Sequence, residues 1–297
     1  MEKLGIIAGA GDLPLLLAQA AREQGRMPLV IQITQPVSKQ LESIASEVYT
    51  FGIGQVQKVT KTLLDSGVRD LVFIGKIDTS ILFRPFLVDT TAVKILARNR
   101  NKGTSAVVSA VIEHFESQGI TVVEQHRFLA NLMPNEGVLT KRQPTHSQWA
   151  DVKYGMQVAR RVADLGIGQT VIVKNMTAVA IEAIEGTDEA IKRGGTLGGK
   201  GVVVAKAAST DHDFRVDVPT IGEQTLKTLH TVSGGVLAVE AGRTFVLNQS
   251  ALCEQADRWK IPIVALACLV GRISATGLIL FSPDAAEMAI CPWQSYW

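Results

Sequence analysis

The segment TDHDFRVDVPTIG, residues 210–222, gathers Asp211, Asp213 and Asp217 around His212 and Arg215. Carboxylate oxygens suit a hard cation such as Mg2+, and a guanidinium suits a phosphate, so these residue types at this spacing could hold a metal and a phosphate together. An extended run over 211–218 would put Asp211, Asp213, Arg215 and Asp217 on one face and His212, Phe214, Val216 and Val218 on the other. The same alternation would serve a solvated edge strand protected by charge.

Two glycine turns could add anion sites. Gly9-Ala10-Gly11-Asp12 lies between an apolar run and a helical pattern, and free N–H groups at a helix start can hold a phosphate. The same residues could equally form a plain tight turn. A dinucleotide fingerprint is not met: Pro14 stands where glycine or alanine is needed, and the second strand ends Ile33-Thr34-Gln35 with no acidic residue for a ribose. In the second half, Glu185-Gly186-Thr187-Asp188 repeats the arrangement, with Thr187 expected as the N-cap and Asp188 and Glu189 in the first turn. The histidines at 114, 126, 146, 212 and 230 form no HxH or HExxH, which argues against zinc. Ser105 and Ser209 lack a nucleophile-elbow context, so no Ser-His-Asp triad is expected.

The elements that must position these groups follow from periodicity. Apolar strands at 3–8, 28–33, in EVYTFGI and at 70–77 alternate with helical patterns in PLLLAQAAREQGR, 37–46 and QVQKVTKTLLDSGV, which predicts a Rossmann-like parallel sheet wrapped by helices. Helical segments TTAVKILARNR and SAVVSAVIEHFESQG and a strand at 120–125 complete a first domain over 1–132. Residues 133–150 hold two prolines and no clear period and are read as a linker. The second domain, 151–270, reads as mixed α/β: a helix in DVKYGMQVARRVADLGIG, two strands turning at Asn175, strands in GKGVVVAKAAS and DFRVDVP, a helix in IGEQTLKTLHTVSG, a hairpin turning at Ala241-Gly242, and a helix in QSALCEQADRWK. Residues 271–297 form an extension without a motif.

Composition narrows the function. The 297 residues are 46% hydrophobic and 20% charged, which supports a folded core. The net charge of +2 comes without a basic block, so no nucleic-acid partner is expected. Cys253, Cys268 and Cys291 make no CxxC pair, an odd number pointing to a reducing, cytoplasmic compartment. The apolar run IPIVALACLVG is far shorter than the roughly 20 residues that span a bilayer. The start MEKLGIIAGAGDLP is a poor signal peptide.

Taken together, GIIAGAGDLP, FGIGQVQKVTKTLLDSGV, VFIGKI, LGIGQTVIV, EAIEGTDEAIKRGG, HDFRVDVPTIGEQT and AVEAGRTFVL resemble the bacterial UDP-2,3-diacylglucosamine pyrophosphatase family of the LpxI type, over residues 1–268. The resemblance implies a two-domain, Mg2+-dependent enzyme that splits UDP-2,3-diacylglucosamine into UMP and 2,3-diacylglucosamine 1-phosphate, on the way to lipid A. It also implies a homodimer, substrate held between the domains, and a peripheral contact with the inner membrane. Carried over residue by residue, Asp213 and Asp217 match the two aspartates of the family's acidic motif and become the metal-binding and catalytic candidates with Arg215. The substrate-binding candidates are Gly9, Gly11, Asp12, Gly75, Lys76, Glu185, Gly186, Thr187, Asp188, Lys206 and Thr220. The chain departs from the family at 208–212, Ala-Ser-Thr-Asp-His in place of a Lys-Pro and a Gln, and at Gly103-Thr104-Ser105 in place of a GDD-like turn. These departures keep open an alternative, a catalytically altered sugar-nucleotide-binding protein of the same fold.

Overall fold

The structure, a computed structural model, describes residues 1–33, 38–76, 88–99 and 104–267. The expectations for Thr34-Gln35, Ile77, Gly103, Cys268, Cys291 and the 271–297 extension fall outside these residues.

The first unit carries β1 (Lys3–Ala8), α1 (Leu13–Glu23), β2 (Met27–Gln32), α2 (Lys39–Ile44), β3 (Glu47–Thr50), α3 (Val56–Asp65), β4 (Asp70–Ile74), α4 (Thr90–Arg98), α5 (Thr104–Ser117), β5 (Thr121–Val122) and α6 (His126–Leu129). Its five strands pair in parallel in the order β3-β2-β1-β4-β5. Both faces of a parallel sheet are covered, so its strands read as continuous apolar runs. Leu4, Ile6 and Val72 are fully buried on the α1 side, and Leu29, Ile31 and Leu71 on the α3 and α5 side. The strand order reverses between β1 and β4, and the crevice beyond such a reversal is where open α/β sheets bind ligands.

The second unit carries β6 (Gly137–Val138), α7 (His146–Asp164), β7 (Thr170–Lys174), β8 (Thr177–Ile181), α8 (Thr187–Gly198), β9 (Val203–Lys206), β10 (Thr220–Ile221), α9 (Glu223–Thr231), β11 (Val236–Glu240), β12 (Phe245–Val246), α10 (Gln249–Trp259) and β13 (Ile263–Leu266). Six strands form a mixed sheet, β6-β13-β11-β9-β7-β8, in which β9, β11 and β13 are parallel and β6, β7 and β8 run antiparallel to their neighbours. Asn175 and Met176, both at positive φ, turn the β7–β8 hairpin, with their N–H groups bonded to the Asp151 carboxylate.

The structure differs from the sequence reading at five places. Residues 211–218 are not a strand: Arg215 N–H bonds Asp213 Oδ1 and Val216 N–H bonds the Asp213 carbonyl, so the aspartate closes a turn on its own backbone instead of entering a ladder. Residues 236–247 are not a hairpin. Both edges of β11 are taken, by β9 and β13, so the chain leaves the sheet and β12 pairs in parallel with β10. Only 121–122 of the expected strand 120–125 joins the sheet. The stretch 133–150 holds β6 and the start of α7, which Thr145 and Gln148 open with a reciprocal capping box. Gly186, not Thr187, is the N-cap of α8.

Candidate functional site

The turns after β1 and β4 are zipped together. Gly9 N–H bonds Ile74 O at 2.8 Å, and Ala10 and Lys76 exchange two backbone bonds of 2.8 and 2.9 Å. A Cβ on Gly9 would stand 2.6 Å from the Lys76 carbonyl oxygen, and one on Gly75, at φ +92, would stand 2.9 Å from the Ala10 carbonyl oxygen. Glycine at both places is what allows this approach. The Gly9 and Ala10 amides are therefore already engaged. Gly11 and Asp12 stay exposed at the start of α1, and Asp12 makes no side-chain cap.

Beside this zipper an apolar cavity of about 470 Å³ opens within the first unit. Phe73, Phe115, Val59 of α3, Ile95 of α4, and Val108 and Val111 of α5 line it. Gly75 and Lys76 belong to its lining, as do Val216 and Asp217 of the acidic turn. The turn of the second unit thus stands at the cavity of the first.

Cross-unit bonds hold it there. Gln125 donates from its backbone to Phe214 O at 3.1 Å and from its side chain to Val216 O at 2.9 Å. Val218 and Phe245 are buried in the core of the first unit with Leu4, Leu17 and Val72. Arg215 forks onto Asp213, with NH2 2.8 Å from Oδ2 and Nε 2.9 Å from Oδ1, and its NH1 reaches Glu116 of α5 at 3.0 Å. The Arg215 hydrogen bonds hold the Asp213 carboxyl below the usual carboxylate range, against the opposing effect of its partial burial. His212 Nε2 lies 2.5 Å from the Asp217 carbonyl and must donate there, because a carbonyl only accepts; Nδ1 faces the Ser209 hydroxyl at 3.2 Å.

Asp217 itself is exposed, and its Oδ2 accepts from the Gln169 amide at 2.8 Å. Gln169 N–H in turn bonds Glu182 Oε2. Glu182 accepts the Thr187 hydroxyl at 2.7 Å, and that hydroxyl receives Lys206 Nζ at 2.9 Å. A continuous polar chain therefore joins Asp217 to the start of α8. Lys206 lies deep in this chain: its side chain is 6% exposed, its ammonium also bonds Thr170, and Glu182 stands 3.7 Å away. Burial pushes the Glu182 carboxyl up, but the Lys206 charge and the hydrogen bonds from Thr170, Thr187 and Gln169 outweigh it and leave it below the usual range.

The remaining candidates lie apart. Glu185 is paired with Arg193 at 2.5 Å, and Asp188 accepts from Thr228 of α9. Thr220 donates to Val218 O. The 9–12 turn and the 185–188 turn are not in the lining of the apolar cavity; Gly75, Lys76 and Asp217 are. Sequence reasoning missed Gln169, Glu182, Glu116 and Gln125. Gln169 stood within a quoted motif, LGIGQTVIV, whereas a lone Glu116 on a helix gives no signal.

Among the described residues, no group of three or more His, Cys, Asp or Glu is placed to hold a metal ion. Of the two expected metal ligands, Asp213 has both carboxylate oxygens on Arg215 and Asp217 has one on Gln169.

Two family models cover most of the chain: the LpxI N-terminal domain matches residues 3–132 and the LpxI C-terminal domain matches residues 135–264. A relative from Caulobacter vibrioides, UDP-2,3-diacylglucosamine pyrophosphatase LpxI, is 30% identical over 268 residues, which are 86% of this chain and 95% of that protein. The chain belongs to the LpxI family. The five-stranded sheet of this LpxI-family chain falls within the first matched region, and the six-stranded sheet falls within the second but for the last two residues of β13. Solved structures overlap it only loosely. The Cj0485 dehydrogenase gives a TM-score of 0.27 at 14% identity, over 40% of this chain and 46% of that one. The biotin carboxylase subunit of pyruvate carboxylase gives 0.27 at 13% identity, over 62% and 37%. Such scores carry no argument about an LpxI-family protein.

Proposed function

We propose that this chain hydrolyses the pyrophosphate of UDP-2,3-diacylglucosamine to UMP and 2,3-diacylglucosamine 1-phosphate in lipid A biosynthesis, with Mg2+ as its cofactor. The observation that carries the reading is the acidic turn standing at an apolar cavity: Asp217 and Lys76 border the same space that Phe73, Val108 and Phe115 line. A substrate that carries acyl chains on a sugar next to a charged pyrophosphate needs this pairing of an apolar recess with cations and carboxylates.

Lys76, exposed at the edge of that space, supplies a point charge for a phosphate. Arg215 supplies a forked donor set, shared in this structure between Asp213 and Glu116; phosphate oxygens compete for the same N–H groups. Asp213 and Asp217 are the residues that would hold Mg2+. The chemistry such an ion would supply there is neutralisation of the pyrophosphate charge. Gln169 fixes the orientation of the Asp217 carboxylate through its 2.8 Å bond. Acyl chains entering the cavity exclude water from its walls and leave the pyrophosphate at the polar edge.

The same reading makes the protein a homodimer of the cytoplasm that touches the inner membrane peripherally to collect its lipid substrate. Among the described residues no helix is long and apolar enough to cross a membrane. Incubation with UDP-2,3-diacylglucosamine and Mg2+ should release UMP. Tight substrate binding without UMP would favour the alternative, a catalytically altered binding protein.

A further inference from the structure

The motif AVEAGRTFVL contributes nothing to the cavity, yet two of its residues grip the acidic segment. We propose that Glu240 and Arg243 form a clamp that positions the 208–217 segment for pyrophosphate chemistry, an inference that rests on the function proposed above. Glu240 ends β11 and is 2% exposed. One carboxylate oxygen meets Arg160 of α7, and the other accepts the Ala208 N–H at 3.0 Å. Arg243 follows three residues later. Its NH2 donates to the Ser209 carbonyl at 2.5 Å and the Thr210 carbonyl at 3.2 Å, and its Nε lies 3.3 Å from Glu240. The guanidinium carbon stands 5.0 Å above the centre of the Phe214 ring, within cation–π range.

One buried carboxylate and one guanidinium therefore hold three consecutive residues, 208 to 210, and the aromatic ring between Asp213 and Arg215. Asp164 of α7 adds bonds to the Thr210 N–H and hydroxyl at 2.6 and 3.1 Å. The segment has no strand ladder of its own, so these side chains substitute for one. The clamp acts together with Gln125, which holds Phe214 and Val216 from the first unit. Neither Glu240 nor Arg243 lines the cavity, which makes both positioning residues rather than catalytic ones. A buried charged device is a costly way to stabilise a core, since apolar replacements of a buried ion pair are often neutral or better. Its forked, directional bonds to successive backbone groups do what packing cannot, which is to fix one conformation of a loop.

Arg243→Ala tests the clamp, because Glu240 keeps Arg160 as its partner and the fold keeps its charge balance there. Two readouts are needed. In native-state hydrogen exchange the Arg215 and Val216 amides, now bonded to Asp213, should exchange at least about tenfold faster, as local opening becomes easier, while amides of β9 and β11 stay protected. In UMP-release assays kcat should fall about ten- to a hundredfold with KM nearly unchanged, and added guanidinium ion should restore part of it. Unchanged exchange at 215 and 216 overturns the clamp whatever the activity. Faster exchange with wild-type kcat overturns its role in the chemistry. A fall in activity that follows only the folded fraction, without guanidinium rescue, marks Arg243 as merely structural and also overturns it. Absence of UMP release from the wild-type protein would instead sink the functional reading, with the exchange result still deciding whether the clamp exists.

Discussion

Lys206 separates two roles that the sequence could not tell apart. It was expected to contact substrate, but its side chain is 6% exposed and its ammonium is engaged by Thr170, Thr187 and, at 3.7 Å, Glu182, itself only 12% exposed. Lys206→Met keeps most of the aliphatic stem and removes the charge. Glu182 would then keep its desolvation without its cation, and breaking a buried pair in this way typically costs about 3–5 kcal/mol. The longer N–O separation and the hydrogen bonds that Glu182 keeps from Thr187 and Gln169 argue for the lower end, about 3 kcal/mol. With a urea slope of about 2 kcal/mol/M, the unfolding midpoint should drop by about 1.5 M. The pH dependence gives an independent sign. In the wild type the Glu182 carboxyl lies below its usual 4.5, so its contribution is complete above that value and is lost as pH falls through the lowered one. In Lys206→Met, burial acts with less opposition and raises the carboxyl, so the same group should make stability fall as pH rises past the usual carboxylate value. Opposite slopes for the two proteins are the diagnostic result. Lys206→Met/Glu182→Gln should recover most of the loss, because the amide oxygen can still accept from the Gln169 N–H, its NH2 can donate to the Thr187 hydroxyl that Lys206 no longer occupies, and no buried charge is left unpaired. A stability loss within the range of a surface change, about 0.5 kcal/mol, together with a raised KM, would rule this out and return the ammonium to the substrate.

Three other outcomes follow from the site. Asp217→Ala should cut kcat by about a hundredfold or more, since the electrostatic contribution of a metal-holding carboxylate amounts to several kcal/mol, and Asp211→Ala, exposed and outside the cavity, should leave it nearly unchanged. Equal rates for these two variants in a UMP assay would remove Asp217 from the chemistry. Gly9→Ala should disturb the Gly75-Lys76 edge, because its Cβ meets backbone at 2.6 Å; Gly11→Ala meets nothing within 4 Å, and only its φ of +98 opposes it. Substrate KM should therefore rise more in the first variant than in the second, and the reverse order would place the phosphate at the exposed 11–12 end of the turn. If the acyl chains occupy the cavity beside Val108 and Phe115, shortening a chain by two methylenes should raise KM about fifteenfold, from about 0.8 kcal/mol for each buried CH2, and a KM independent of chain length would put the chains elsewhere.

The fold of the first unit was legible because buried parallel strands leave continuous apolar runs such as LGIIA and LVIQ, separated by helices with capped or glycine-stopped ends. The acidic segment was legible in its residues and misread in its backbone. Alternating Asp-x-Asp-x-Arg-x-Asp has the period of a strand, but aspartate also closes turns on its own N–H groups, and here Asp213 does so. The expected 236–247 hairpin failed for a reason no local pattern carries: β11 is a central strand, with β9 and β13 already on its edges. The cavity and the Asp217–Gln169–Glu182–Thr187–Lys206 chain were not legible, because their members come from positions up to 48 residues apart and each residue alone is ordinary. Gln169 in particular acts through one amide whose partner only the topology supplies.

The most direct test of the account is UMP release from UDP-2,3-diacylglucosamine across a Mg2+ titration, comparing the wild-type chain with Asp213→Ala and Asp217→Ala. Mg2+-dependent UMP release is expected from the wild type, with rates at least about a hundredfold lower for both variants and substrate binding retained through the cavity. UMP release at wild-type rates by both variants, or wild-type turnover indifferent to Mg2+, would contradict it.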